Sequence, residues 1–189
     1  MSMKKIGRRV SLREVLHDRS FETDEAPEVR DLSGILEARI TVRPRRVKSG
    51  EKVRVCLSIQ NTGERPIDLS FVAHEGPMLD LTVTGPDSDE VVYPPPNPPL
   101  IARPGPPYAV GLTLMPGGEV FHEAEWEATS RDWNLDVRSP VPIPLRGYES
   151  SVRPVGPLAR GRYKIQVNAM FHYAGYGIED PAGWLDVIG

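Results

Sequence analysis

The chain has 189 residues, a formal net charge of −3, and 39% hydrophobic against 26% charged residues. These are the proportions of one ordinary globular domain with extra segments, large enough to bury a core without disulfides or metals. The charge gives no global electrostatic case for nucleic acid or an anionic membrane. The single cysteine, Cys56, excludes an intramolecular disulfide and a multi-cysteine zinc site within one chain. Twenty Pro and 17 Gly without a period exclude collagen and point to many turns between short strands.

The amino-terminal stretch Met1-Ser-Met-Lys-Lys-Ile-Gly-Arg-Arg9 is basic, but no apolar run of signal-peptide length follows it. The Arg8-Arg9 pair likewise lacks the apolar stretch that twin-arginine export needs. No segment approaches the roughly 20 apolar residues of a membrane span. The expected compartment is the cytoplasm.

Residues 1–33 read as a separate charged arm. Lys4, Lys5, Arg8, Arg9, Arg13 and Arg19 outweigh Glu14 and Asp18, whereas Glu22, Asp24, Glu25, Glu28 and Asp31 outweigh Arg30. Few large apolar residues accompany these charges, so much of the arm is expected to be disordered when unbound. Within it Ser11-Leu-Arg-Glu14 fits a capping box, and Leu12, Val15 and Leu16 share one face of a short helix. Two turns of helix do not hold in water alone. The helix has to dock on its own domain, on another chain or on a bilayer surface. The preferred reading is a docking arm that meets a protein partner through Arg8, Arg9, Leu12, Val15 and Leu16.

From residue 34 to 189 the period is two. Leu36, Ala38, Ile40 and Val42 form one half-buried strand, and Val53, Val55, Leu57 and Ile59 a second, joined by the turn Lys48-Ser-Gly-Glu51. Further strands are expected at Ile67–Phe71, Leu79–Val83, Val91–Tyr93, Tyr108–Leu114 and Val120–Trp126. Between them, residues 94–107 carry eight prolines and read as an extended polyproline strap. Residues 129–159 read as irregular. Tyr163 to Tyr173 alternate as the longest strand, and Trp184–Ile188 close the chain. This pattern predicts an all-β, immunoglobulin-like antiparallel β-sandwich behind the arm.

The string Val53-Arg-Val-Cys-Leu-Ser-Ile-Gln-Asn-Thr-Gly-Glu-Arg-Pro-Ile-Asp-Leu-Ser-Phe71 resembles the B–C strand pair of bacterial immunoglobulin-like domains, where a strand ending in Asn-x-Gly leads to a Pro-started strand. Met115-Pro-Gly-Gly…Trp126 and Ala159-Arg-Gly-Arg-Tyr163 are similar to later loop–strand pairs of that architecture. Over residues 34–173 the chain resembles the BsuPI-type intracellular proteinase inhibitors. That resemblance implies inhibition of an intracellular protease through an exposed loop such as 94–107 or 129–159. The arm, the strap and the 129–159 insertion depart from the family, and no inhibitory residues are carried over.

The side chains supply little chemistry. Cys56 lies at an outward position with Arg54 nearby, a cation able to lower its pKa, but without the surroundings of a cysteine protease. His122 and His172 occupy expected strands with no His-x-His pair, and a metal site would need ligands from separate strands. Walker A, Gly-x-Gly-x-x-Gly, Gly-x-Ser-x-Gly and His-Glu-x-x-His motifs are absent. Gly175-Tyr-Gly177 reads as a turn. No cofactor is implied. The expected function is a non-enzymatic protein–protein interaction or structural module, acting through its arm, its sheet edges or its loops in a homo-oligomer or multiprotein complex. The alternative is proteinase inhibition.

Overall fold

A computed structural model describes residues 3–23, 30–73, 79–86, 90–94, 108–133, 152–169 and 171–189. Among them the amino-terminal segment supplies β1 (Lys4–Ile6), β2 (Arg9–Ser11), α1 (Leu12–His17) and β3 (Glu22–Thr23). Then follow β4 (Leu36–Arg43), β5 (Arg46–Lys48), β6 (Lys52–Asn61), β7 (Ile67–Ala73), β8 (Asp80–Thr84) and β9 (Val91–Tyr93). The remainder holds β10 (Tyr108–Leu114), β11 (Glu119–Glu127), β12 (Thr129–Trp133), β13 (Val152–Pro157), β14 (Gly161–Asn168) and β15 (Gly183–Ile188). The chain is thus mostly β with one short helix.

The strands lie in several sheets. One has the order β2-β11-β6-β4 and another β5-β15-β14-β8-β9; β10 pairs with β7 on one side and with β1 and β3 on the other, and β12 pairs with β13. The expected antiparallel pattern holds for most neighbours, but β1–β10, β2–β11 and β5–β15 are parallel. Each parallel pair includes a three-residue strand. Parallel neighbours need a long connection, and all three pairs join segments far apart in sequence.

The period-two signal has the expected physical result. Along β6, Val53, Val55, Leu57 and Ile59 are buried, while the intervening residues face outward. They belong to one apolar cluster with Phe71, Leu112, Val120, Ile165 and Leu185, contributed by the different sheets. Gly183 shows how closely β15 approaches β4: a Cβ there would lie 2.6 Å from methyl groups of both Ile40 and Val42.

The arm is where the structure departs most from expectation. Residues 4–11 run across two elements, β1 pairing with the end of β10 and β2 with the start of β11. Leu12, Val15 and Leu16 are fully buried in the chain's own core, beside Ile6 and Phe21. The helix therefore docks on its own domain, the first of the three options, and its apolar face is already covered. The expected capping box does not form either. Ser11, still paired as the last residue of β2, makes no side-chain cap hydrogen bond. The cap comes later: Asp18 accepts from the Ser20 amide at 2.9 Å and starts a 3₁₀ turn over Arg19–Phe21. Lys4 donates to Asp18 and lies 4.2 Å from the centre of the Phe21 ring. The hydrogen bonds from Ser20, with Lys4 nearby, hold the Asp18 carboxyl below its ordinary pKa.

Where the arm crosses, hydrogen bonds converge on Asn61. Its side-chain amide donates to the carbonyls of Arg65 at 2.8 Å and Leu114 at 2.9 Å, and its carbonyl accepts from the Gly63 amide. Its backbone pairs with Gly117 and Gly118 in the turn between β10 and β11. The Met115 amide in turn donates to Ile6 at 2.8 Å. Gly117 sits at φ +75°, and a Cβ on Gly118 would meet the Ile6 carbonyl oxygen at 2.2 Å, so both positions of the turn require glycine.

Two further expectations change. The alternation from Tyr163 to Tyr173 is not one strand; β14 ends at Asn168, and Tyr173–Tyr176 form a 3₁₀ turn. Burial there comes from an aromatic cluster, with the Phe171 ring 4.8 Å from Phe71, 4.9 Å from Tyr173 and 5.0 Å from Tyr176. Side chains packed in a cluster imitate a pleat in sequence. The ends of 129–159, read as irregular, pair as the β12–β13 hairpin, whose two prolines are tolerated on a two-stranded edge. Arg131 anchors it, donating to Asp80 and Pro94 and lying 3.8 Å from the centre of the Tyr93 ring. The strap at 94–107 lies outside the described residues after Pro94.

Urea unfolding checks this account. Leu16→Ala is expected to cost about 2–4 kcal/mol, as for a core truncation, and Asn61→Ala about 1–3 kcal/mol by stranding the buried Leu114 carbonyl. Arg8→Glu, on an exposed residue, should stay within about 0.5 kcal/mol. An unchanged midpoint for Leu16→Ala would show that the helix is not part of this core.

Candidate functional site

The five arm residues separate into two groups. Leu12, Val15 and Leu16 face inward and offer nothing to a partner, which corrects their reading as docking residues; Arg8 and Arg9 are exposed. Arg9 is engaged within the chain. Its guanidinium lies 3.8 Å from the centre of the Phe121 ring, and it donates to Glu119 at 3.3 Å and to the Cys56 sulfur at 3.5 Å.

These contacts belong to the outward face of β2-β11-β6-β4, where Thr41, Cys56 and Glu123 stand in one register row and Arg43, Arg54 and Glu125 in another. Its charges largely cancel locally: Arg9 pairs with Glu119, Arg39 with Glu37, and Arg54 with Glu125 at 3.8 Å. Cys56 does point away from the core, but the nearby cation is Arg9, not Arg54. Burial pushes the thiol pKa up, with Glu123 and Glu119 adding to the rise and Arg9 opposing it. This is the opposite of what a nucleophilic thiolate needs.

The outward face of β5-β15-β14-β8 is built differently. Register brings Lys48 beside Ile188, then Arg46, Asp186 and Arg162 into one row, then Trp184, Lys164 and Thr84 into the next. Arg46, Lys48, Arg162, Trp184, Asp186 and Ile188 are exposed, Trp184 at 46%. Four cations thus surround one carboxylate. Among the described residues none of the four has an ion-pair partner, and Arg162 instead lies 4.7 Å from the centre of the Trp184 ring. Exposed aromatic and aliphatic side chains among cations that the described residues leave without an ion-pair partner make this face a candidate site.

Along β14 this face leads into a groove of about 440 Å³. Thr82, Gln166 and Asn168 form one wall, and His172, Tyr173 and Asp180 line the rest with Phe171. The turn beneath is tight: a Cβ on Gly175 would come 2.8 Å from the His172 ring nitrogen, and Gly177 adopts φ +71°. The Tyr173 hydroxyl is buried without a hydrogen-bond partner among the described residues, and burial, reinforced by Asp180, raises its pKa. Neither histidine joins a metal cluster, since no group of three or more His, Cys, Asp or Glu suited to a metal occurs among the described residues. His172 is an exposed groove residue, whereas His122 is buried on the inward side of β11.

This second face is not among the sites expected from the sequence. Its signal was present: Trp184 and Ile188 occupy the polar parity of an alternating strand, the same parity as Asp186. An aromatic side chain on the solvent side of a pleat is what distinguishes them.

No family model and no curated protein matches the chain. Among solved structures it is similar to a segment of a β-glucosidase from Erythrobacter marinus, at 11% identity over 81% of this chain and 15% of that one, TM-score 0.38. It is also similar to a segment of a β-glucosidase from Listeria innocua, at 12% identity over 82% and 16%, TM-score 0.35. An alkylpurine DNA glycosylase from Pseudomonas fluorescens overlaps it at 13% identity over 84% and 32%, TM-score 0.35. The chain spans about a third or less of each, and overlaps this loose identify no family. No described helix is long and apolar enough to cross a membrane.

His122 generates a pH prediction. Burial, followed by the Arg13 charge, lowers its pKa below the ordinary 6.5, with Glu123 opposing. The unfolded chain therefore binds a proton at this residue that the folded chain refuses, and folding stability falls as pH drops below about 6.5. Urea midpoints measured from pH 8 to pH 5 should decline less steeply for His122→Phe than for the natural chain; parallel declines would remove His122 as a cause.

Proposed function

We propose that the chain is a non-enzymatic protein-interaction module built on an immunoglobulin-like sandwich. The strand order supports the sandwich. The chain passes from β4 in one sheet to β5 in another across Pro44-Arg45, and β15 approaches β4 through Gly183. On this reading residues 4–23 belong to the scaffold, and binding moves from the arm's apolar residues to the sheet surface.

The observation that carries the reading is the outward face of β5-β15-β14-β8, with Trp184 and Ile188 exposed among Arg46, Lys48, Arg162 and Lys164. Interface energy concentrates in a few aromatic and arginine side chains, and these residues lie on rigid strands, so little ordering is needed on binding. Proteinase inhibition gains no comparable support, because the loops it would use lie largely outside the described residues.

The test is recovery of protein partners from native cells by the tagged full-length chain, compared with two variants of equal folding stability. Trp184→Ser is expected to lower recovery of any specific partner at least tenfold, whereas Arg8→Glu leaves it unchanged. Loss with Arg8→Glu alone would return the binding surface to the arm. Slowing of any protease in a panel by the purified chain would replace this reading with inhibition.

A further inference from the structure

We infer that the partner contributes an extended, acidic segment that lies along β14, its carboxylates on the cationic end of the face and an uncharged or basic side chain in the groove. This rests on the interaction-module reading and specifies the partner it takes.

Charge complementarity chooses the occupant. Arg46, Lys48, Arg162 and Lys164 are unpaired among the described residues, with only Asp186 between them. A sheet face with unpaired cations attracts carboxylates, and the attraction falls with salt. Direction follows from the strand. The outward positions of β14, from Arg162 through Lys164 and Gln166 to Asn168, lead from the cations into the groove. At about 3.3 Å per residue this track is roughly 20 Å long, matched by about seven residues of extended chain. At the groove end the charge reverses, with Asp180 in the lining, whereas Asp80 opposite Asn168 is paired with Arg131. A segment acidic throughout would be repelled there.

A protein segment suits this face better than single-stranded nucleic acid. Binding of successive bases needs successive stacking platforms; on the described strands of this face Trp184 is the one outward aromatic residue, and Phe171 and Tyr173 in the groove are buried. Ile188, two outward positions further along β15, is exposed beside Lys48 and offers contact to an aliphatic side chain, not to a base.

Fluorescence anisotropy of the full-length chain with short labelled peptides tests this. The probe peptide alternates glutamate and leucine in one half and is glutamine- and serine-rich in the other. Its controls replace every glutamate by glutamine or extend glutamate throughout, and oligothymidine serves as the nucleic-acid arm. The half-acidic peptide is expected to bind at least tenfold more tightly than either control, and to weaken about tenfold with Lys164→Glu, with Trp184→Ser and at high salt. Both residues lie on the outward face, so the variants retain the fold, which urea midpoints check. Equal binding of the glutamine peptide, indifference to salt, or tighter binding of oligothymidine would overturn the inference. If native partners are recovered through Trp184 while the acidic peptides do not bind, the acidic segment falls and the module stands. If no partner is recovered and no peptide binds, both fall.

Discussion

Asn61 is completely buried at the end of β6, and four parts of the chain depend on the hydrogen bonds it makes. Its side chain ties the loop after β6 to the end of β10, and its backbone holds the Gly117-Gly118 turn. That turn in turn receives the arm, through Met115 to Ile6 and Glu119 to Arg8. A buried amide that satisfies carbonyls from separate segments couples their stabilities, because no one of them can leave without exposing unpaired polar groups in an apolar setting. The arm's position follows from this arrangement. Once Ile6 and Arg8 are fixed by the turn, Leu12, Val15 and Leu16 are delivered over the inward side of β11.

Placement of the arm also sets the electrostatics of the surface. Arg9 arrives beside Glu119, Phe121 and Cys56 and neutralises one corner of the β2-β11-β6-β4 face. That face is therefore a set of local ion pairs, each worth little on its own, surrounding a thiol whose pKa burial raises. Among the described residues the β5-β15-β14-β8 face receives no such arm. Its cations have no ion-pair partner there, and Trp184 and Ile188 are exposed. The two faces have similar pleats and different consequences, and the difference lies in whether opposite charges fall into neighbouring register rows.

Much of the fold was legible in single strands. The buried residues of β6 and β8 are those the alternation marks, and the turns at Lys48–Glu51 and Met115–Gly118 fall where glycine and proline place them. Short edge strands were not legible: β1, β2 and β5 have three residues each, too few to show a period. The run from Tyr163 to Tyr173 misled for the opposite reason, since aromatic residues collected around Phe171 repeat at intervals of two without forming a pleat.

By itself, then, the sequence determined a β-rich domain with its inward residues and most of its turns, because burial on one side of a strand is written as a local period. It also determined that Leu12, Val15 and Leu16 need an apolar surface. Which surface they meet is a long-range matter. So is the pairing of β5 with β15, which brings Arg46 and Lys48 beside Asp186 and Ile188 from the far end of the chain. The candidate surface is made of four segments that are adjacent only through register. Only the tertiary structure could assemble it, because hydrogen-bonded neighbours in a sheet leave no mark in the sequence distance between them.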